Sequence, residues 1–345
     1  MAPKRPKGAG ALEKDTRPAL SPAPVPSRSS ELYAALDLGT NSCRMLIAQP
    51  KGSGFHVVDS FSKSVQLGAG LERTGRLSRG SMLRTIQALR ICQQKLRRNK
   101  VRRMRLVATE ACRRALNGTE FMRRIHRETG LKLDIITPKE EAQLAVISCA
   151  PLVDSRTENL LVVDIGGGST ELVWIDISGV PIGDRTQSIM RLHSGFDQTK
   201  SGLPEAKVVD WISVPLGVAT LRDQFTDVED DAAQIVGTSG TVTTVAASHL
   251  GLRRYDRTKV DGLRMTSAQI DKVIHSYLAL GPAGRRSDPR IGQDRSALIM
   301  SGAAILQALM RCWPTDRLSV ADRGLREGLL FAQMSADGAL EEGKY

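Results

Sequence analysis

Two stretches of this chain share one pattern. Residues 33–48 read YAALDLGTNSCRMLIA and residues 160–174 read LLVVDIGGGSTELVW. In each, an apolar run ends in Asp, passes through an aliphatic residue and Gly, crosses two small or polar residues to Ser, and enters a second apolar run. The pattern predicts strand–loop–strand twice over, and so two related halves. Taken singly, either loop reads equally well as a hairpin turn. Taken as a pair, the loops suggest a function. Gly39, Gly166, Gly167 and Gly168 allow close backbone approach to a ligand, and successive amide N–H groups make an anion-binding concavity. Thr40, Asn41, Ser42, Ser169 and Thr170 add side-chain donors. Facing each other across a cleft, two such loops would grip a phosphate chain from both sides.

The rest of the pattern fits an α/β fold. Strand signals recur at 56–67, 105–109, 131–137, 235–239 and 318–322, and helical spacing runs over 81–100, 140–152 and onward from 325. We divide the chain into a basic tail over 1–30, one domain over 31–150 and a second over 151–345, with the last helix free to pack back on the first domain. The polar stretch between Val180 and Asp210 reads as a surface loop.

Composition narrows the partners. The net charge of +12 in 345 residues calls for a polyanionic partner or substrate. The tail holds six basic residues against two acids, with many Pro and Ser, and reads as disordered. Nucleic acid is disfavoured as the main partner, because aromatic residues are 4% of the chain and no recognition motif is present. The five cysteines lack metal or redox spacing and read as reduced thiols in a cytoplasmic protein. No apolar run is long enough for a membrane span.

Several polar residues have two readings. Asp164 and Glu171 stand at opposite ends of the second loop, where two carboxylates beside a phosphate need a cation. Mg²⁺ suits them, with Asp164 the first choice and Glu171 open to being an ordinary strand residue. Arg44 holds the corresponding place in the first loop, as a source of positive charge or as a surface residue. Arg113, after a strand, could fork onto phosphate oxygens or belong to a solvated basic helix face. Glu140 and Glu141 open a helix, where spacing alone favours a response to the helix dipole. The arginines and lysines over 95–105 and 123–127 could form a basic track for a polyanion.

DLGTNSCRMLIA, TEACRRALN, EEAQLA, DIGGGSTEL, WISVPLGVATL, GTSGTVTTVAA and DRGLREGLL occur in that order. This set resembles the exopolyphosphatase/guanosine pentaphosphate phosphohydrolase (Ppx/GppA) family over roughly residues 32–335. The resemblance implies two actin-like, RNase H-like domains with the active site in the cleft between them. It implies Mg²⁺-dependent hydrolysis of a terminal phosphoanhydride in polyphosphate or pppGpp. It makes Glu141 the catalytic glutamate, Asp164 and Glu171 the metal-associated acids, and Arg113 the phosphate-binding arginine. It assigns Gly39, Asn41, Gly166, Gly167, Gly168 and Ser169 to the phosphate loops, which Thr40 and Ser42 complete.

Thr137-Pro138-Lys139 replaces the Ser-Gly that usually precedes the two glutamates in the family, a departure at the catalytic position itself. The family's long members also carry a C-terminal helical domain beyond the matching segment, and its lack implies shorter chains as substrates. A homodimer follows by analogy alone. The competing functions are a non-catalytic sensor of (p)ppGpp or polyphosphate and another phosphotransferase of the actin-like superfamily.

Overall fold

The computed structural model describes residues 31–192, 205–214, 234–296, 298–313 and 317–340. The basic tail and most of the SVPLGVATL segment lie outside them. Two sheets organise the chain. The first contains β1 (Tyr33–Leu38), β2 (Ser42–Lys51), β3 (Gly54–Ser64), β4 (Arg103–Ala108) and β5 (Asp134–Ile135), in the order β3-β2-β1-β4-β5. The second contains β6 (Asn159–Ile165), β7 (Thr170–Asp176), β8 (Lys207–Val214), β9 (Gln234–Thr238), β10 (Arg264–Met265) and β11 (Leu318–Ala321), in the order β10-β11-β9-β6-β7-β8. In each, three antiparallel strands lead through the first one into parallel partners. This is the RNase H-like order of the actin-like fold, present twice, and the duplicated loops end its first strand in both halves.

Eleven helices surround the sheets among the described residues: α1 (Leu71–Thr74), α2 (Arg79–Arg98), α3 (Glu110–Arg114), α4 (Gly118–Thr129), α5 (Pro138–Cys149), α6 (Arg185–Arg191), α7 (Ser239–His249), α8 (Arg257–Val260), α9 (Ser267–Ser287), α10 (Ile299–Cys312) and α11 (Leu325–Ala336). Their starts follow local chemistry. Ser78 and Thr266 cap α2 and α9, each accepting an amide N–H three residues on. Thr137 caps α5, and Pro138 occupies its first turn, where a missing N–H costs nothing. Gly281 (φ 63°) and Pro282 break α9 before its end. None of the helices described is long and apolar enough to cross a membrane.

Three apolar cores result. One lies between the first sheet and α2 and α4, and another between the second sheet and α7, α9 and α10. The third is shared: Tyr33, Leu46 and Val107 of the first sheet and Val162, Val173 and Val236 of the second pack around α5 and α11. Here α5 lies on β6–β9, while α11 lies on β1, β2 and β4. Each helix thus covers the sheet built mainly from the other part of the chain. They cross where Gly328 meets the Leu144 carbonyl, a contact that leaves no room for a Cβ.

In the stretch between Val180 and Asp210 the described residues are not the plain surface loop expected from its polarity, and residues 193–204 lie outside the described ones. Residues 185–191 form α6, with Ser188, Ile189 and Met190 buried, and residues 207–214 form β8. The helix is held by Arg185, which is buried and donates to the carbonyls of Val180, Ser155 and Thr157 at 3.1, 2.7 and 2.6 Å. A charged side chain spent on backbone carbonyls leaves no apolar periodicity to read. The strand expected over 131–137 is reduced to Asp134–Ile135.

Candidate active site

The two glycine loops face each other. In the first, the Thr40 carbonyl accepts from Gly68 N at 2.9 Å, and the Asn41 carbonyl accepts from Val65 N and Gln66 N at 2.9 Å each. In a trans peptide the following N–H points the opposite way. The amides of Asn41 and Ser42 therefore turn from this segment toward the cleft. The second loop sits there: a Cβ on Gly167 would lie 3.5 Å from Asn41 N, and one on Gly168 would lie 2.6 Å from Thr40 Oγ1 and 3.1 Å from Glu110 Cγ. Glycine at 168 is what permits this approach.

The strands set the charges behind the loops. Register places Asp37 directly opposite Arg44 in the first hairpin, and Asp164 directly opposite Glu171 in the second. One hairpin thus presents an acid–base pair and the other two acids. Burial, Glu171 and Asp37 together push Asp164 up to about 7, against the pull of Arg44. Glu171 is 2% exposed and is raised by burial, while the hydroxyls of Ser169 and Ser213 hold it down. The Ser213 bond measures 2.8 Å. Glu171 is therefore not a solvated strand residue.

Glu140 and Glu141, alike in sequence, part company here. Glu140 pairs with Arg105, away from the loops. Glu141 receives both Arg113 guanidinium nitrogens on one oxygen, at 3.2 and 3.1 Å. Arg113 is itself fixed by the Ile136 carbonyl at 2.7 Å and by Glu110 at 2.6 Å. Burial and then Glu171 raise Glu141 well above the carboxylate range; Arg113 opposes this, and Asp37 and Asp164 add to it. The departure Thr-Pro-Lys before the glutamates falls at the start of α5, where Thr137 is the cap and Pro138 sits in the first turn. Glu141, Asp164, Glu171, Arg113 and both loops therefore converge on one cleft.

A cationic wall completes it, and most of it escapes a sequence reading. A Cβ on Gly240, in the first turn of α7, would lie 3.8 Å from both Arg44 and Arg295. Arg295 donates to Thr244 Oγ1 at 2.6 Å. Arg44 is half-buried at the cleft; burial, then the neighbouring Arg326, then Arg295, lower its pKa, with Asp37 and Glu327 opposing. Ser239, at the head of α7, holds φ 80°, a strained left-handed conformation for a residue with a side chain. Its hydroxyl donates to the Ile165 carbonyl at 2.7 Å, tying α7 to the second loop. Glu110, Ser213, Ser239 and Arg326 fall inside the quoted motifs without having been singled out there, and Arg295 carries no sequence signal, being a single polar residue in a chain with 49 Lys and Arg.

Among the described residues no three carboxylate, imidazole or thiolate groups form a ready metal cage. The donors nonetheless fit Mg²⁺. Asp164 and Glu171 are hard oxygen ligands, opposed in register and crowded by like charge, and Mg²⁺ commonly takes one or two carboxylates with phosphate oxygens and water.

Known proteins share this architecture. A structure of the Ppx/GppA family member of Aquifex aeolicus is 29% identical, with TM-score 0.69, covering 89% of this chain and 98% of that one. An exopolyphosphatase structure from Cytophaga hutchinsonii, 18% identical with TM-score 0.72, covers 89% of this chain and 98% of that one and shares the fold. The guanosine-5'-triphosphate,3'-diphosphate pyrophosphatase of Aeromonas salmonicida is 28% identical over 88% of this chain, and that of Aeromonas hydrophila 27%. The match spans 59% of the length of each of these two relatives. The Ppx/GppA phosphatase family profile matches residues 46–337, most of the chain, and the protein belongs to that family.

Proposed function

We propose that this phosphatase hydrolyses terminal phosphoanhydride bonds with Mg²⁺, releasing orthophosphate from inorganic polyphosphate or from pppGpp. The observation that carries this is the meeting of Glu141, held by Arg113, with the Asp164–Glu171 pair at the seam between two facing glycine loops. The pyrophosphatase name of the Aeromonas relatives supports pppGpp as one substrate.

Phosphoryl transfer asks the protein mainly for positioning and charge stabilisation. The amides of Asn41 and Ser42 and the Gly166–Gly168 loop hold the terminal phosphate from two sides. Arg113 reaches the same phosphate and offsets its charge beside Glu141. Arg44, Arg295 and the amide end of α7 receive the phosphates behind the scissile bond. Glu141 accepts a proton from the attacking water, and the leaving phosphate carries off the bridging oxygen. Asp164 and Glu171 would hold Mg²⁺, which would supply the charge neutralisation that two carboxylates beside a phosphate require. Phosphate release from pppGpp and from polyphosphate, assayed side by side with Mg²⁺ and no acceptor, tests this. Release from at least one is expected. Release from neither, with phosphate transferred from ATP to an acceptor, would mark a phosphotransferase instead, and tight binding without release a sensor.

A further inference from the structure

We propose that the end of the first sheet remote from the cleft is a second docking face, for the distal part of a long inorganic polyphosphate chain. The inference rests on the polyphosphate reading of the active site. Arg97, Arg98, Lys100, Arg102, Arg127 and Lys132 are all exposed there. None lies within ion-pair distance of a carboxylate among the described residues. Their neighbours are spent: Lys95 binds Asp59 at 2.7 Å, Arg90 and Arg124 share Glu128, Arg103 holds Glu31 and Asp337, and Arg105 holds Glu140.

The topology fixes where this face lies. β1 and β4 run parallel, with Tyr33 beside Arg103 at one end and Leu38 beside Ala108 at the cleft end. Six strand residues separate the ends by roughly 20 Å. α2 and α4 both finish at the remote end, each bringing basic residues in its last turn. The helix dipole accounts for cations at those positions. It does not account for Lys100, Arg102 and Lys132, which follow the helices. Between β4 and the segment that follows α4 a groove is lined by Met104, Arg105, Gly130 and Lys132, with Asp134 its one acid. β4 meets β5 only at Val107 and Ala108, which leaves the groove open beside Arg103–Leu106.

The chemistry selects the occupant. Unpaired guanidinium and ammonium groups match a dense, flexible polyanion. Single-stranded nucleic acid is bound with aromatic platforms for its bases. Among the described residues the one strongly exposed aromatic is Tyr255, in the other half of the protein. A polymer of phosphates alone needs no such platform, and the cleft already grips its end. A chain long enough to reach both places gains from effective concentration, by about 100-fold or more over either site.

Binding of labelled polyphosphate, measured with chelator present, separates the two sites. The variant Arg97→Gln/Arg98→Gln/Arg102→Gln/Lys132→Gln leaves the cleft untouched. A chain of roughly 100 phosphates should bind it at least about tenfold more weakly than the unaltered protein, with tripolyphosphate binding unchanged. Long-chain affinity within about twofold of the unaltered protein would overturn the docking face, because removing four cations from a polyanion's contact surface acts strongly on its binding. Loss of duplex RNA binding with long-chain polyphosphate binding intact would overturn it in favour of nucleic acid. A protein that releases no phosphate from any polyphosphate would defeat the active-site reading, while these affinities would still decide the docking face.

Discussion

Glu141 has one place in the cleft and two opposing influences on it. The like charges of Glu171, Asp37 and Asp164 discourage its ionisation, and Arg113 encourages it. In the proposed role of taking a proton from water, it should be worth about 10²–10⁴-fold in rate. Glu141→Gln should lower kcat by that factor while keeping substrate affinity, as read from phosphate release and equilibrium binding. Asp164 makes a complementary case. It is a partly buried acid facing another acid, a repulsion that Mg²⁺ bound there would relieve. Asp164→Asn should abolish turnover yet raise the melting temperature of the metal-free protein, on the order of 2 °C per kcal/mol of relieved repulsion. A lower melting temperature in chelator would contradict it. The residues themselves were legible to unequal degrees. The duplicated Asp-Gly pattern and the EEAQLA segment exposed Asp164, Glu141 and the loops. Arg295 was invisible, because a side chain that acts from a distant loop leaves no local pattern.

At the level of elements, the crossing of α5 and α11 decides how the two halves sit. Gly328 lies against the Leu144 carbonyl, where an added methyl has nowhere to go. Gly328→Ala should cost about 1–3 kcal/mol, seen as a lower midpoint in denaturant, and should lower activity by shifting one loop relative to the other. The far end of α11 is tied down as well: Tyr33 donates to Asp337 at 2.9 Å, joining β1 to the residue that closes α11. Tyr33→Phe should cost about 0.5–1.5 kcal/mol at neutral pH. Burial and Asp337 raise Tyr33 to about 12 in the folded protein. A raised tyrosine stabilises fully below its unfolded value near 10, and that contribution is lost as pH rises through about 12. The stability gap between the two proteins, from melts across this range, should close accordingly. Element types were readable where apolar period and caps agree, as in α2 and the β6–β7 hairpin. They were not readable at α6, which Arg185 secures by bonds to three carbonyls rather than by an apolar stripe.

For the molecule as a whole, the shared core has a plain consequence. The first sheet depends on α11 from the far end of the chain, and α5 depends on the second sheet. A fragment of residues 31–150 would expose Tyr33, Leu46, Val107 and the inner face of α5 to water. It should show no cooperative melt by calorimetry, whereas the full chain should melt as one strongly coupled unit. The amino-acid sequence by itself determined the elements that local chemistry dictates: two strand–loop–strand repeats, their glycines, their acids, and the helix caps. These depend on backbone preference and on periodicity within a few residues. The tertiary structure alone decided that Glu140 turns away to Arg105 while Glu141 meets Arg113, that three arginines mass behind the cleft, and that α5 lies on the second sheet. Those outcomes depend on strand register and on contacts between residues up to about three hundred positions apart, as Tyr33 and Asp337 are. Burial and long-range charge set such contacts, and neither is written in any local run of residues.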